Sequence, residues 1–285
     1  MAQATSRRDA LRAGVLLAPA YLWLTVAVFL PLSAMLFFSF LSAAPFTSAD
    51  WHVTGLNYAE FLARSIYPDL LGRSLLLAAI VTVACVLIGY PCAYVLARQV
   101  KGRAREALFL LIILPFWSNS LVRIFSWAIV LRGNGIIDHT LGALLPFVSV
   151  NLMFSYTAVV IGLVHSYLPY VILTSYLALQ AIDESILEAA RSLGAPFRTI
   201  LFRLLLPLSL PGLAAGAVLI FVPVAGSFME PRILGGKHGI FYGTLIEDQF
   251  VATFNWPLGA ALSFILLAVV LVILAAASPI LRRAR

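Results

Sequence analysis

Long apolar runs separated by short polar stretches set the pattern of this chain. Six runs, at about 13–41, 72–97, 107–131, 152–179, 211–229 and 258–281, come close to or exceed the roughly 20 apolar residues that cross a bilayer core. Polar stretches at 98–106 and 180–210 fall on one side of these runs, and those at 42–71, 132–151 and 230–257 on the other. Hydrocarbon offers no water to satisfy backbone groups, so such runs must form helices. The pattern predicts an all-α, polytopic membrane helical bundle of six transmembrane helices, read as a single domain over 1–285. The two longest outer connections have room for short surface helices, one of them around Leu56 to Ala63. Prolines recur inside the runs at Pro31, Pro91, Pro115, Pro169 and Pro223, where each removes a backbone donor and kinks its helix.

Composition agrees with this reading. The 285 residues are 62% hydrophobic and only 11% charged, against roughly 25% charged in a soluble domain. Basic residues then orient the chain. The side that carries 98–106 and 180–210 has 13 of the 19 Lys and Arg residues, and the opposite side has 4. The positive-inside rule places both termini and the 180–210 loop in the cytoplasm, so the basic balance calls for no nucleic acid. Ser6-Arg7-Arg8 resembles a twin-arginine export signal, but the apolar run behind it is too long for one. Cys85 and Cys92, seven residues apart on one helix, lie about 10 Å from each other. That is too far for a disulfide, and no metal is implied.

The 180–210 stretch is polar, yet it has helix signals. Ser185 and Glu188 fit a capping box, and Asp183 is an alternative cap one turn earlier. Ile186, Ala190 and Leu193 share a face at i, i+4 and i+7. Gly194 then stands where a left-handed C-terminal cap is expected. Pro196 suits the first position of a second helix, after which Pro207 and Pro211 turn the chain into the fifth run. A helix with Ala189 and Ala190 at its tip is narrow enough to enter a groove on a partner, where the Glu188 carboxylate would meet basic or amide groups. The residues alone leave this open against an amphipathic helix lying on the membrane surface.

Two features bear on energy. The chain has two lysines, Lys101 and Lys237, and neither ends a phosphate-binding loop. No carboxylate falls mid-membrane, where ion-coupled carriers place theirs. Glu230, 19 residues past Pro211, reaches about 28 Å along a helix and lands near the outer surface. Arg123, 16 residues past Ala107, reaches about 24 Å, with Asn119 one turn below it. His165 near the middle of the fourth run reads as a packing histidine. The outer stretches hold seven acids against four bases, a balance of −3 that suits a cationic solute. Ser118, Asn119, Arg123, Ser227 and Glu230 are the candidate residues of a solute pathway. No catalytic constellation or zinc-protease motif is present, since His52, His139, His165 and His238 are scattered.

Glu188-Ala189-Ala190, three residues, Gly194, nine residues, Leu204, one residue, Leu206-Pro207 resembles the cytoplasmic signature of permease subunits of binding-protein-dependent ABC importers. Pro115 to Arg123 with Ser126-Trp127, Pro231 to Gly236, Gly243 to Ile246, Gln249-Phe250 and Asn255 to Pro257 look like the spermidine/putrescine branch. One position departs from that branch, because Ser227 follows Gly226 where an acidic residue is usual. The resemblance implies a permease of the bacterial inner membrane that does no chemistry and holds no cofactor. Its partners would be two cytoplasmic ATPases that bind ATP and Mg, a second permease subunit expected to be a different chain, an external solute-binding protein and membrane lipid. Glu188, Ala189, Ala190 and Gly194 would carry coupling to the ATPase. A permease for another small solute, such as an amino acid or an opine, and an ion-coupled secondary transporter are the alternatives.

Overall fold

The computed structural model describes the backbone of residues 2–44, 50–133, 135–136, 138 and 151–282, and the side chains of those between 16 and 277. His139, most of the outer connection around it and the basic side chains at both ends lie outside the described residues. Among the described residues the regular structure is helical, apart from one isolated antiparallel bridge between Leu41 and Val53. In chain order the helices are α1 (Ala2–Ser39), α2 (Leu56–Ala63), α3 (Ile66–Tyr94), α4 (Gly102–Ile113), α5 (Ser120–Leu131) and α6 (Tyr156–Gln180). They continue with α7 (Glu184–Ser192), α8 (Phe197–Ile200), α9 (Leu206–Ala225), α10 (Met229–Leu234), α11 (Tyr242–Val251) and α12 (Trp256–Arg282). The expected surface helix at Leu56–Ala63 is present as α2.

The chain folds into two compact units. One comprises Met1–Ala63 and Asp248–Ile265, the other Arg64–Glu247 and Leu266–Arg285. In the first, α1 is apolar and open, with Leu22 69% and Trp23 72% exposed, a surface that only lipid or another apolar helix can cover. Asn57 fastens α2 to the end of α1, its amide donating to the carbonyls of Ser39 and Leu41, both at 2.9 Å.

The larger unit is built on α3, α6 and α9, which pack on one another around buried Leu77, Val81, Leu163, Val171, Leu179 and Ile220. Helices without side-chain bulk approach closely in a membrane. A Cβ at Gly216 would run into the Thr174 side chain and the Val171 backbone, so α9 lies almost on the α6 backbone there. The Tyr90 and Ser209 hydroxyls meet at 2.9 Å between α3 and α9, satisfying two polar groups inside the bundle.

Three expectations change. The third run is not one straight span. Gly102–Trp117 and Ser120–Leu131 meet at 97°, so five helices are long and apolar enough to cross a membrane, or six if the bent pair counts as one span. The bend follows Pro115, within a short 3-10 turn at Leu114–Trp117. Nor do Pro207 and Pro211 turn the chain into the fifth run, since helix continues from Phe197 to Ala225. A π turn at Leu201–Leu205 lies just before Pro207, and Pro211 stands inside α9. Pro196 caps α8 from outside and is not its first residue. A second π turn, Val95–Gln99, follows Pro91 at the end of α3 and carries Arg98.

Candidate functional site

The signature residues of the polar loop gather on α7 and the turn behind it. Of the two caps considered, the chain uses Asp183, whose side chain accepts from the Ser185 amide at 3.0 Å. That bond holds the Asp183 carboxyl below its ordinary carboxylate value. Glu184 in the first turn and Arg191 in the last suit the helix dipole. Gly194 has φ 75°; its amide bonds the Arg191 carbonyl at 2.9 Å, and the Ala195 amide bonds that of Ala190 at 3.0 Å. These two bonds make a Schellman closure, which needs the left-handed residue that glycine supplies without a Cβ penalty.

This closure decides which face is free. Leu187, 1% exposed, plugs into the bundle, and Ala190 is half-buried. The apolar face expected from Ile186, Ala190 and Leu193 is therefore divided, because the helix sits on Leu187 and Ala190. The outward row is Ile186, Ala189 and Leu193, at i, i+3 and i+7, with Leu193 88% exposed. Glu188 is exposed and forms no hydrogen bond or ion pair among the described residues. An unpaired carboxylate thus stands beside bare apolar side chains on a helix capped at both ends.

One residue of this site was visible in the sequence only as an inside charge. Arg98, at the end of α3, donates Nη1 to Glu184 Oε2 at 2.7 Å and Nη2 to the carbonyls of Leu179 and Ile182 at 2.6 and 2.7 Å. Glu184 also accepts from Arg191 at 3.3 Å. Nothing in residue spacing announces a partner 86 positions away.

The five pathway candidates fall into two groups. Ser118, Asn119 and Arg123 build the corner between α4 and α5. The Asn119 side chain caps α5 by accepting from the Leu121 amide at 2.8 Å. The Pro115 carbonyl receives both the Ser118 hydroxyl at 2.8 Å and Arg123 Nη1 at 2.9 Å. The corner also removes the straight helix along which Arg123 was counted. Its guanidinium folds back onto the bend, within electrostatic reach of His165 and Tyr167.

Ser227 and Glu230 form the second group. Both are buried at 8% exposure, and the Ser227 hydroxyl donates to Glu230 Oε2 at 2.8 Å. Helix α10, which carries Glu230, packs on α5, and Tyr167 on α6 feels Glu230 as well as Arg123. Beside Tyr167 the Tyr170 ring stacks at 5.9 Å between centroids, and Phe116 meets Tyr170 edge-on at 4.8 Å. These aromatic residues were not among the candidates, since a tyrosine on an apolar run carries no signal that separates lining from packing. His165, read from the sequence as a packing histidine, meets Trp127 edge-on at 5.4 Å but is otherwise exposed in this chain. Arg232 pairs with Glu247 nearby.

Comparison with known proteins follows this geometry. A family profile described as "Binding-protein-dependent transport system inner membrane component" matches residues 87–284. The spermidine/putrescine transport system permease protein PotB of Haemophilus influenzae is 34% identical over 265 residues, covering 92% of each chain. Its Escherichia coli namesake is 36% identical over 245 residues, 86% of this chain and 88% of that one. Among solved structures, a chain of a bacterial alginate ABC transporter in complex with a periplasmic protein carrying an alginate pentasaccharide superposes with a TM-score of 0.79. It is 16% identical and covers 97% of this chain and 96% of that chain, a likeness of fold.

Proposed function

The chain belongs to the family of binding-protein-dependent transport system inner membrane components, and we propose that it passes polyamines such as spermidine or putrescine across the membrane. It is a multi-pass inner-membrane permease subunit of an ABC importer, a transport component and not an enzyme. Residues 1–285 act as one permease domain with both termini and the 180–210 loop in the cytoplasm. An external binding protein delivers the solute. A second, different permease subunit completes the path and covers apolar surface. Two cytoplasmic ATPases bind ATP and Mg and dock on Glu188, Ala189 and the Gly194 turn, while Ala190 seats the helix on the bundle beneath.

The observation that carries the solute class is the Ser227–Glu230 pair. Ser227 occupies the position where the polyamine branch has an acid. Its hydroxyl holds the Glu230 carboxylate at 2.8 Å, which returns an acidic group to that place from three residues on. A carboxylate held by one hydrogen bond and bordered by Tyr167 favours a cation in its vicinity. Ser118, Asn119 and Arg123, at the corner between α4 and α5, complete the proposed pathway.

Uptake of labelled spermidine by vesicles bearing the complete importer tests this reading. Competition by unlabelled putrescine and none by neutral amino acids is expected, with weaker uptake in Glu230→Gln. Uptake of an amino acid in place of spermidine would overturn the polyamine assignment.

A further inference from the structure

We infer that Arg98 is the positioning residue of the docking helix, joining the ends of three helices through one guanidinium so that α7 moves with the membrane bundle. This rests on reading α7 as the ATPase-docking element. The side chain is 12% exposed, and its contacts come from three directions. It leaves the π turn that ends α3, takes the Leu179 and Ile182 carbonyls at the end of α6, and takes the Glu184 carboxylate at the start of α7. The last carbonyls of a helix have no partner within it. Arg98 supplies a partner to the Ile182 carbonyl, shares that of Leu179 with the Ile182 amide, and fixes the next helix in the same act. Only a planar fork spreads donors over such a set; lysine, a point charge on a flexible stem, does not.

Packing leaves the joint to this residue. Below α7 lies a cavity of about 220 Å³ lined by Tyr94, Arg98, Leu187, Arg191, Phe197 and Leu205, among others. Leu187 is the one residue of α7 that is fully buried, with half-buried Ala190 beside it, so side-chain packing holds this helix by a small contact. Without the guanidinium, the chain between the α6 end and Gly194 can swing about its two ends. A force on Glu188 would then move α7 and not α3 and α6.

A spin label reads this without solute or ATPase. The full chain carrying Cys92→Ser and Leu193→Cys, labelled at position 193 and held in lipid nanodiscs, gives the parent spectrum. Each charge-assisted bond biases an equilibrium by on the order of tenfold, so Arg98→Met should convert a minor mobile component into a prominent one. Glu184→Gln, which keeps both carbonyl bonds, should change it less. Arg98→Lys keeps charge and bulk and carries the test should Arg98→Met fail to fold; it too should raise mobility. An unchanged spectrum in whichever Arg98 variant folds overturns the inference, as does a larger effect from Glu184→Gln than from that variant. In the assembled importer, Arg98→Met should also raise the ATP hydrolysed per spermidine taken up. A wild-type importer that ignores spermidine would refute the polyamine reading and leave the spin-label result standing.

Discussion

The loop at 180–210 and the corner at Pro115–Arg123 both interrupt helix, yet they are specified in opposite ways. The loop closes itself. Asp183 caps α7 two residues away, and the Gly194 turn returns to Ala190 and Arg191. The corner also has a local cap in Asn119, but its direction depends on what surrounds it. Arg123 reaches back over eight residues to Pro115, Phe116 packs on Tyr170 of α6, and α5 packs on α10. On the proposed reading of α7 as a docking element, local caps keep the helix in shape before a partner arrives, while Arg98 sets where it sits. The corner takes its direction from contacts with other helices.

The largest expected effect strikes the docking face. Glu188→Lys reverses the exposed, unpaired charge and should cost about 2–5 kcal/mol of docking energy. Uptake should fall well below a tenth of wild type, roughly, while the permease still inserts and elutes as before. Retained ATPase in pull-downs of this variant would break the assignment of the loop. Second, Glu230→Gln removes a charge-assisted hydrogen bond worth about 1.5–3 kcal/mol. Its signature is a raised KM for spermidine with ATPase binding untouched, which separates the two regions directly.

Gly194→Val comes third. A β-branched residue at φ 75° costs about 1–2 kcal/mol and loosens the Schellman turn. ATPase pull-down should weaken without being lost, and spermidine KM should stay put. Smallest is Asp183→Asn, because asparagine caps nearly as well. The pH profile shows the difference. The Asp183 carboxyl is lowered from its ordinary value of 3.8 by the Ser185 amide. Its stabilisation is therefore present above that value and lost as pH falls through the folded one. Protection of the α7 amides, taken relative to their intrinsic exchange rates, should fall in acid for the wild type and show no such dependence in Asp183→Asn.

This contrast also explains what was legible in the sequence. Periodicity and caps gave the helical class, the surface helix at Leu56–Ala63 and the Gly194 turn, because each is decided within a few residues. Asp183 against Ser185 as the cap could be narrowed to two but not chosen. Choosing required knowing that Leu187 is the buried plug, which only the α3–α6–α9 bundle determines. The 97° corner was hidden because Pro115 signals a kink of unstated size. Arg98 was hidden because two of its acceptors are backbone carbonyls, which have no residue signature, and the third, Glu184, is 86 positions away. Glu230 was placed by counting along one helix, whereas the chain leaves helix at Gly226 and starts α10, which lets Ser227 bond Glu230.

ATP hydrolysis by the purified importer, with and without its external binding protein loaded with spermidine, tests the central claim most directly. The account predicts low basal hydrolysis, stimulation by the loaded binding protein, and no stimulation when this chain carries Glu188→Lys. Failure of any ATPase to co-purify, with uptake persisting under a proton gradient alone, would contradict it.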